Sequence, residues 1–226
     1  MFFLGSGSMN TPRAVYEEAI KRMASPLIAS VITKVDRKYY TQDPNPYSLS
    51  PVPIHSGGVN MSAPSVHALA LELSLKYKGE NVRNVLDVGS GSGYLVACFG
   101  QLFPQANVWG VERLKGLVEQ SRLNLQRDPE CASMADRFHI VEGNALDLSY
   151  LNGLPQMDVI HMGTAHHGLP KALVSKLNPG GILIFPEEHP QGEQFFSVYR
   201  KNSEHMQLVD EGEPVIYIRA EDKNPE

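Results

Sequence analysis

Three glycines alternate with serines in Gly89-Ser90-Gly91-Ser92-Gly93, directly after the run Val85-Leu86-Asp87-Val88 and before a helical pattern opening at Tyr94. The chemistry of such a turn lies in its backbone. Glycine takes torsions closed to other residues and lets a ligand approach the main chain. A helix that follows points its unpaired N–H groups into the same gap. Asp87 stands at the strand end, and a second carboxylate, Glu112, ends the next apolar run, NVWGVE. A carboxylate there can accept hydrogen bonds from both hydroxyls of an unphosphorylated ribose. The expected ligand is therefore a nucleoside or a dinucleotide. The dinucleotide fingerprint GxGxxG asks for a small residue at position 94, where this chain has Tyr94. A tight turn with no ligand is the remaining reading, though alternating glycines are costly to keep for that alone.

A sheet must hold these residues in place. Residues 12–24 carry Val15, Ala19, Ile20 and Met23 near helical spacing, with Thr11 as the expected cap, and 28–36 reads as a second helix. Residues 39–61 hold Pro44, Pro46, Pro51 and Pro53 with Gly57 and Gly58, while Tyr40, Tyr47 and Ile54 offer apolar anchors. An ordered covering loop is expected there. Ser62 as cap and Pro64 in the first turn predict a helix buried through Val66, Leu69, Ala70, Leu73 and Tyr77. Strands are predicted around Val85–Val88 and at 107–111, 138–143, 157–163 and 181–186, with helices at 114–127 and 170–177. That alternation implies an α/β fold, a doubly wound, mostly parallel sheet with helices on both faces. Residues 193–201 and 213–220 alternate well enough to form antiparallel strands at one edge.

The chain has 226 residues and a formal charge of −5, and no basic run exceeds two residues. A nucleic-acid binder would normally show a basic stripe, so nucleic acid is not an expected partner. Cys98 and Cys131 lack CxxC spacing and fit a reduced, cytoplasmic setting. No apolar run is long enough to cross a bilayer, so no membrane partner is expected. Residues 1–8, MFFLGSGS, have no basic residue before their apolar start and read as an expression remnant. No excess apolar helix face stands out, and a monomer is expected.

Several separated stretches, in unbroken order from about position 12 to 222, resemble one family. They are DRKYY, NPYSLSP, MSAP before a helix, LDVGSGSGYL, the strand ending in Glu112, MDVIHMGTA, ALVSKLNPGGILIFP and VIYIRAED. The glycine turn with Glu112 resembles class I S-adenosylmethionine-dependent methyltransferases in general. The SAP segment paired with the NPY loop is more specific, and the whole set resembles the protein-L-isoaspartate (D-aspartate) O-methyltransferases. The resemblance implies a Rossmann-like domain over 9–226: helices and covering loop to 61, a cofactor-binding core over 62–190, and edge strands over 191–226. It also implies S-adenosyl-L-methionine as cofactor, S-adenosyl-L-homocysteine as product, and isoaspartyl-containing proteins and peptides as partners. The family methylates the free α-carboxylate of an isoaspartyl residue, which hastens its return to the succinimide. A carboxylate with a pKa near 4 is already ionised at neutral pH. No general base is needed, and the task is to desolvate and align an anion against a sulfonium.

Residue by residue, the resemblance makes Ser62 the active-site serine, donating to the acceptor carboxylate, with Asn60, Met61 and Ala63 around the same acceptor. Gly89, Ser90, Gly91 and Gly93 match the cofactor loop, Asp87 its supporting acid, Glu112 the ribose binder, and Gly143-Asn144-Ala145 the adenine contact. No metal is expected. Departures concentrate at the acceptor end. Val59-Asn60 stands where the family has a glutamine-threonine pair, and Ser65 where it has histidine. Asn144 replaces the family's aspartate and can accept from the adenine amino group only without charge. His166 and His167 read as loop residues. Two other readings follow from these departures: the same cofactor with another acceptor, and a module that binds cofactor or peptide with little turnover.

Overall fold

A computed structural model describes residues 10–55, 58–203, 205–217 and 219–220. Residues 1–8, expected above to be a remnant, Gly57 and the close of the VIYIRAED stretch lie outside them. The chain opens with α1 (Arg13–Met23) and α2 (Pro26–Lys34), then a 3₁₀ turn at Arg37–Tyr39. Neither Thr11 nor Ser25 caps its helix through its side chain; Pro12 occupies the cap position of α1, and α2 begins at Pro26 itself.

The covering loop holds a small hairpin, β1 (Val52–Pro53) against β2 (Asn60–Met61), with Val52 opposite Met61. Its three expected anchors are engaged. The buried Tyr40 donates to Asp128 at 2.9 Å, and Tyr47 to Asp36 at 2.9 Å. Ile54 sits over the glycine turn, its Cδ1 3.0 Å from where a Cβ on Gly91 would be.

Next comes α3 (Pro64–Lys78), whose cap is Ala63 and not Ser62. The reason is local. A proline pushes the residue before it out of the helical region, so Ala63, at φ −57° and ψ 147°, takes the cap position. Ser62 is left one residue outside the helix. The buried face of α3 also differs from expectation, with His67, Ala68, Leu71 and Ser74 joining Ala70 and Leu73, while Val66, Leu69 and Tyr77 are half-buried. Packing against α1, α2, α4 and the sheet together widens the covered arc.

The main sheet is assembled from β3 (Asn84–Val88), α4 (Tyr94–Leu102), β4 (Asn107–Glu112), α5 (Lys115–Arg127), α6 (Pro129–Ala132), β5 (Phe138–Glu142), α7 (Leu148–Leu151), β6 (Met157–Met162), α8 (Lys171–Ser175), β7 (Leu177–Glu188), β8 (Gln194–Lys201) and β9 (Met206–Val215). The spatial order is β5-β4-β3-β6-β7-β8-β9. Pairs from β5 to β7 are parallel, and β7-β8-β9 are antiparallel. The doubly wound sheet is thus present, with helices on both faces. Val85 joins the core under the N-terminal helices and α4, while Leu86 and Val88 join the core on the opposite face. Burial on both sides explains why these strands read as unbroken apolar runs. The winding reverses between β3 and β6, which is where open α/β sheets bind ligands beyond the strands' carboxyl ends.

Two boundaries depart from the sequence reading. Helix α8 stops at Ser175, and β7 starts at Leu177, running through Asn178-Pro179-Gly180-Gly181 with a register shift against β6. The edge strand is 206–215, not 213–220. After Val215 the chain leaves the ladder, and Ile216 and Tyr217 turn to another use. Among the described residues, no helix is long and apolar enough to cross a membrane.

Candidate active site

The glycine turn follows β3 with left-handed torsions at Gly89 (φ +72°), Gly91 (+51°) and Gly93 (+83°). The N–H groups of Gly89 and Ser90 donate to the Val111 carbonyl at 2.8 and 3.2 Å, tying the turn to the end of β4. Gly93 caps α4, and a Cβ there would press on Ser121 of α5 at 3.2 Å. Side chains are excluded by torsion and by neighbours alike.

Glu112 is buried and clamps this turn. Its Oε2 accepts from the Gly91 N–H at 3.0 Å, and its Oε1 from the Arg113 and Leu114 N–H groups at 2.8 and 2.9 Å. A carboxylate offers about four acceptor positions. Three are committed to backbone, leaving room on Oε2 for one ribose hydroxyl rather than two. The carboxylate therefore shapes the turn as well as facing the cleft.

Beyond Glu112 lies a cleft of about 310 Å³, bounded by Gly89, Gly91, Glu112, Gly143, Asn144 and Ala145 on one wall. Asn144 uses its Oδ1 to accept from the Leu146 N–H at 3.0 Å, which fixes the loop after β5. A Cβ on Gly143 would fall on the Tyr150 ring, so this position too is restricted to glycine. Asn60, Ser62 and Ala63 line the same cleft, with Val59, Val66 and Tyr217.

A smaller cavity of about 70 Å³ runs under the turn, lined by Met61, Ser62, Asp87, Ser90, Ser92 and His161 among others. Asp87 and His161 are cross-strand neighbours on β3 and β6, and Asp87 Oδ1 lies 2.7 Å from Nδ1 of the imidazole. Both are buried, and His161 Nε2 has no hydrogen-bond partner among the described residues. Phe99 and Phe196 flank the ring. Nearby, His67 is held well below the ordinary imidazole pKa, chiefly by burial and then by the charge of Arg37.

The cleft thus brings together every residue singled out for the cofactor and the acceptor, except that Ser90, Gly93, Met61 and Asp87 sit beneath or beside it. Sequence reasoning assigned no role to His161, Tyr217 or Arg37, although MDVIHMG, VIYIRA and DRKYY had been noted as segments. His161 and Tyr217 carry their signal as polar groups inside apolar runs, whereas Arg37, between Asp36 and Lys38, carries none. Tyr217 arrives from the tail that leaves the sheet. Its N–H donates to Gln194 Oε1 at 2.6 Å, and further on the Ala220 N–H donates to the Ala165 carbonyl at 2.7 Å while Arg219 pairs with Glu188. The Tyr217 phenol faces the Ser62 hydroxyl, and burial raises its pKa. His166 and His167 each use Nδ1 against a different carbonyl, those of Gly168 and Glu188, and are indeed loop groups.

The profile of the protein-L-isoaspartate(D-aspartate) O-methyltransferase family matches residues 11–225. The chain belongs to that family. A relative from Triticum aestivum, protein-L-isoaspartate O-methyltransferase, is 34% identical over 80% of this chain and 79% of its own length. Protein-L-isoaspartate O-methyltransferase 1 of Arabidopsis thaliana is 32% identical over 96% of this chain and 94% of its own. Among solved structures, a protein-L-isoaspartate O-methyltransferase from Plasmodium falciparum, in complex with S-adenosyl-L-homocysteine, superposes with a TM-score of 0.82. It is 29% identical and covers 95% of this chain and 100% of its own. Members of this family are S-adenosylmethionine-dependent transferases, and the class I fold expected from the sequence is the one observed.

Proposed function

We propose that this enzyme transfers a methyl group from S-adenosyl-L-methionine to the free α-carboxylate of isoaspartyl residues in damaged proteins and peptides, with Ser62 holding the acceptor. The observation that carries this reading is one cleft lined both by the glycine turn with Glu112 and by Ser62, whose side chain is free of capping duty. The chain's residues fit the cofactor. Gly91 admits no side chain, Glu112 retains an acceptor position, and the loop at Gly143–Ala145 faces the same space.

When bound, the cofactor supplies an electrophilic methyl on a cationic sulfur. Glu112 would orient the ribose, Asn144 and Ala145 the base, and Asp87 with the turn the amino-acid portion. Ser62 donates to one acceptor oxygen, beside the N–H of Ala63. The other oxygen would be left unbound by the protein, free to serve as the nucleophile toward the methyl group that the cofactor would supply. Anion and cation give two neutral groups, so no proton has to move. Enclosure by Tyr217 and the hairpin keeps water away and strengthens each contact.

The test is transfer of labelled methyl to an isoaspartyl peptide beside its ordinary aspartyl twin. Label on the isoaspartyl peptide alone is expected. Equal labelling of the two, or none, overturns the reading.

A further inference from the structure

Arg37 is 1% exposed, yet none of its partners carries a negative charge. Its Nη1 and Nη2 donate to the Ser62 carbonyl at 3.4 and 3.3 Å, and its Nε to the Pro46 carbonyl at 3.1 Å. Nη1 also lies 3.5 Å from Nδ1 of His67, and the guanidinium stands 5.2 Å over the Tyr94 ring. The neighbouring carboxylate, Asp36, is occupied elsewhere, by Arg13 at 2.6 Å and Lys38 at 3.1 Å. Burial disfavours the charged form of His67, and in the neutral ring Nδ1 can accept from Nη1 while the other nitrogen carries the proton. Guanidinium groups stay protonated in folded proteins. A cation buried against neutral partners is costly to maintain unless a counter-charge arrives to meet it.

We infer that Arg37 is a positioning residue whose charge draws the acceptor carboxylate to Ser62. This rests on the acceptor reading given above. Two paths carry the effect. One is direct attraction through a water-poor interior, where salt screens little. The other runs through one peptide group: Arg37 donates into the Ser62 carbonyl, which polarises the shared amide and makes the Ala63 N–H a stronger donor. Pro64 has no N–H to contribute, so Ala63 carries the last amide before the helix.

The test compares two ligands by calorimetry in the presence of S-adenosyl-L-homocysteine: an isoaspartyl peptide with its free α-carboxylate, and the neutral α-methyl ester of the same peptide. Wild-type protein should prefer the acid by about tenfold. Arg37→Gln should bring the ratio near one, and Arg37→Lys should restore most of it. If Arg37→Gln weakens acid and ester alike, leaving the ratio intact, the role is structural and the proposal falls. Should the variants fail to fold by circular dichroism, the wild-type ratio decides. A preference kept between low and high salt supports a buried charge, whereas no preference, or one that vanishes in salt, overturns it. Failure of the functional reading itself would look different, because wild-type protein would then label the isoaspartyl and aspartyl peptides equally, or neither.

Discussion

On the donor side of the cleft, contacts come from the ends of neighbouring parallel strands. The turn follows β3, Glu112 closes β4, and Gly143–Ala145 follows β5. On the acceptor side they come from a hairpin, from two residues preceding a helix, and from a tail that returns from the far edge of the sheet. The donor wall is held by ladder hydrogen bonds and backbone N–H groups. Its side-chain clamps, Glu112 and Asn144, act on backbone within a few residues of the strand ends or on the next strand's turn. The acceptor wall is held by side chains distant in sequence, such as Gln194 on Tyr217 and Arg37 on Ser62. One wall is generic to the fold, and the other can be varied without disturbing the sheet.

Separate failure of the two walls is the sharpest test of that contrast. Glu112→Ala leaves three backbone N–H groups without their acceptor. That costs stability, and loss of the ribose hydrogen bond to a charged acceptor, about 1.5–3 kcal/mol, should lower cofactor-product affinity by about ten- to a hundredfold. Isoaspartyl peptide binding should hardly change. Calorimetry with each ligand reads this, and a loss under threefold would mean the turn holds itself.

Ser62→Ala is the mirror experiment. Loss of one hydrogen bond to a charged group, about 1.5 kcal/mol, should lower kcat/KM for the isoaspartyl peptide roughly tenfold. The dissociation constant of S-adenosyl-L-homocysteine should stay put. If it rises in step, the walls are not separable.

A pH effect of comparable size is expected from His67, beneath the acceptor side. Its folded pKa is depressed, so the unfolded chain takes up the proton first as pH drops. The contribution to stability is complete above about pH 6.5 and is lost as pH falls below it, by up to about 1.4 kcal/mol per pH unit. His67→Gln should flatten that limb of a plot of Tm against pH. A wild-type Tm that rises on acidification to pH 5 would contradict the sign.

The smallest effect belongs to Asn144→Asp. Adding charge to an acceptor already aimed by Leu146 should tighten cofactor binding about two- to threefold. Weaker binding would show that this oxygen does not face the base.

Legibility in the sequence followed the same division. The glycine turn, Glu112 and the alternation of strands and helices could be read because each depends on a few adjacent residues with a distinctive period. The start of α3 was misplaced by one residue because a good capping residue, Ser62, outweighed the constraint that Pro64 sets on Ala63. The last strand was shifted because the run Val215–Tyr217 alternates like a strand but serves as a wall. Arg37 was out of reach for another reason. A basic residue in DRKYY looks like a solvated charge until tertiary packing buries it.

The tail that leaves β9 and bridges to Ala165 bears on biosynthesis. A ribosome delivers the nucleoside-binding half well before Tyr217 emerges. A chain stalled short of residue 217 has a place for the methyl donor but no enclosed seat for a damaged peptide. Translation order alone therefore completes the serine-bearing side of the cleft after the glycine-bearing side.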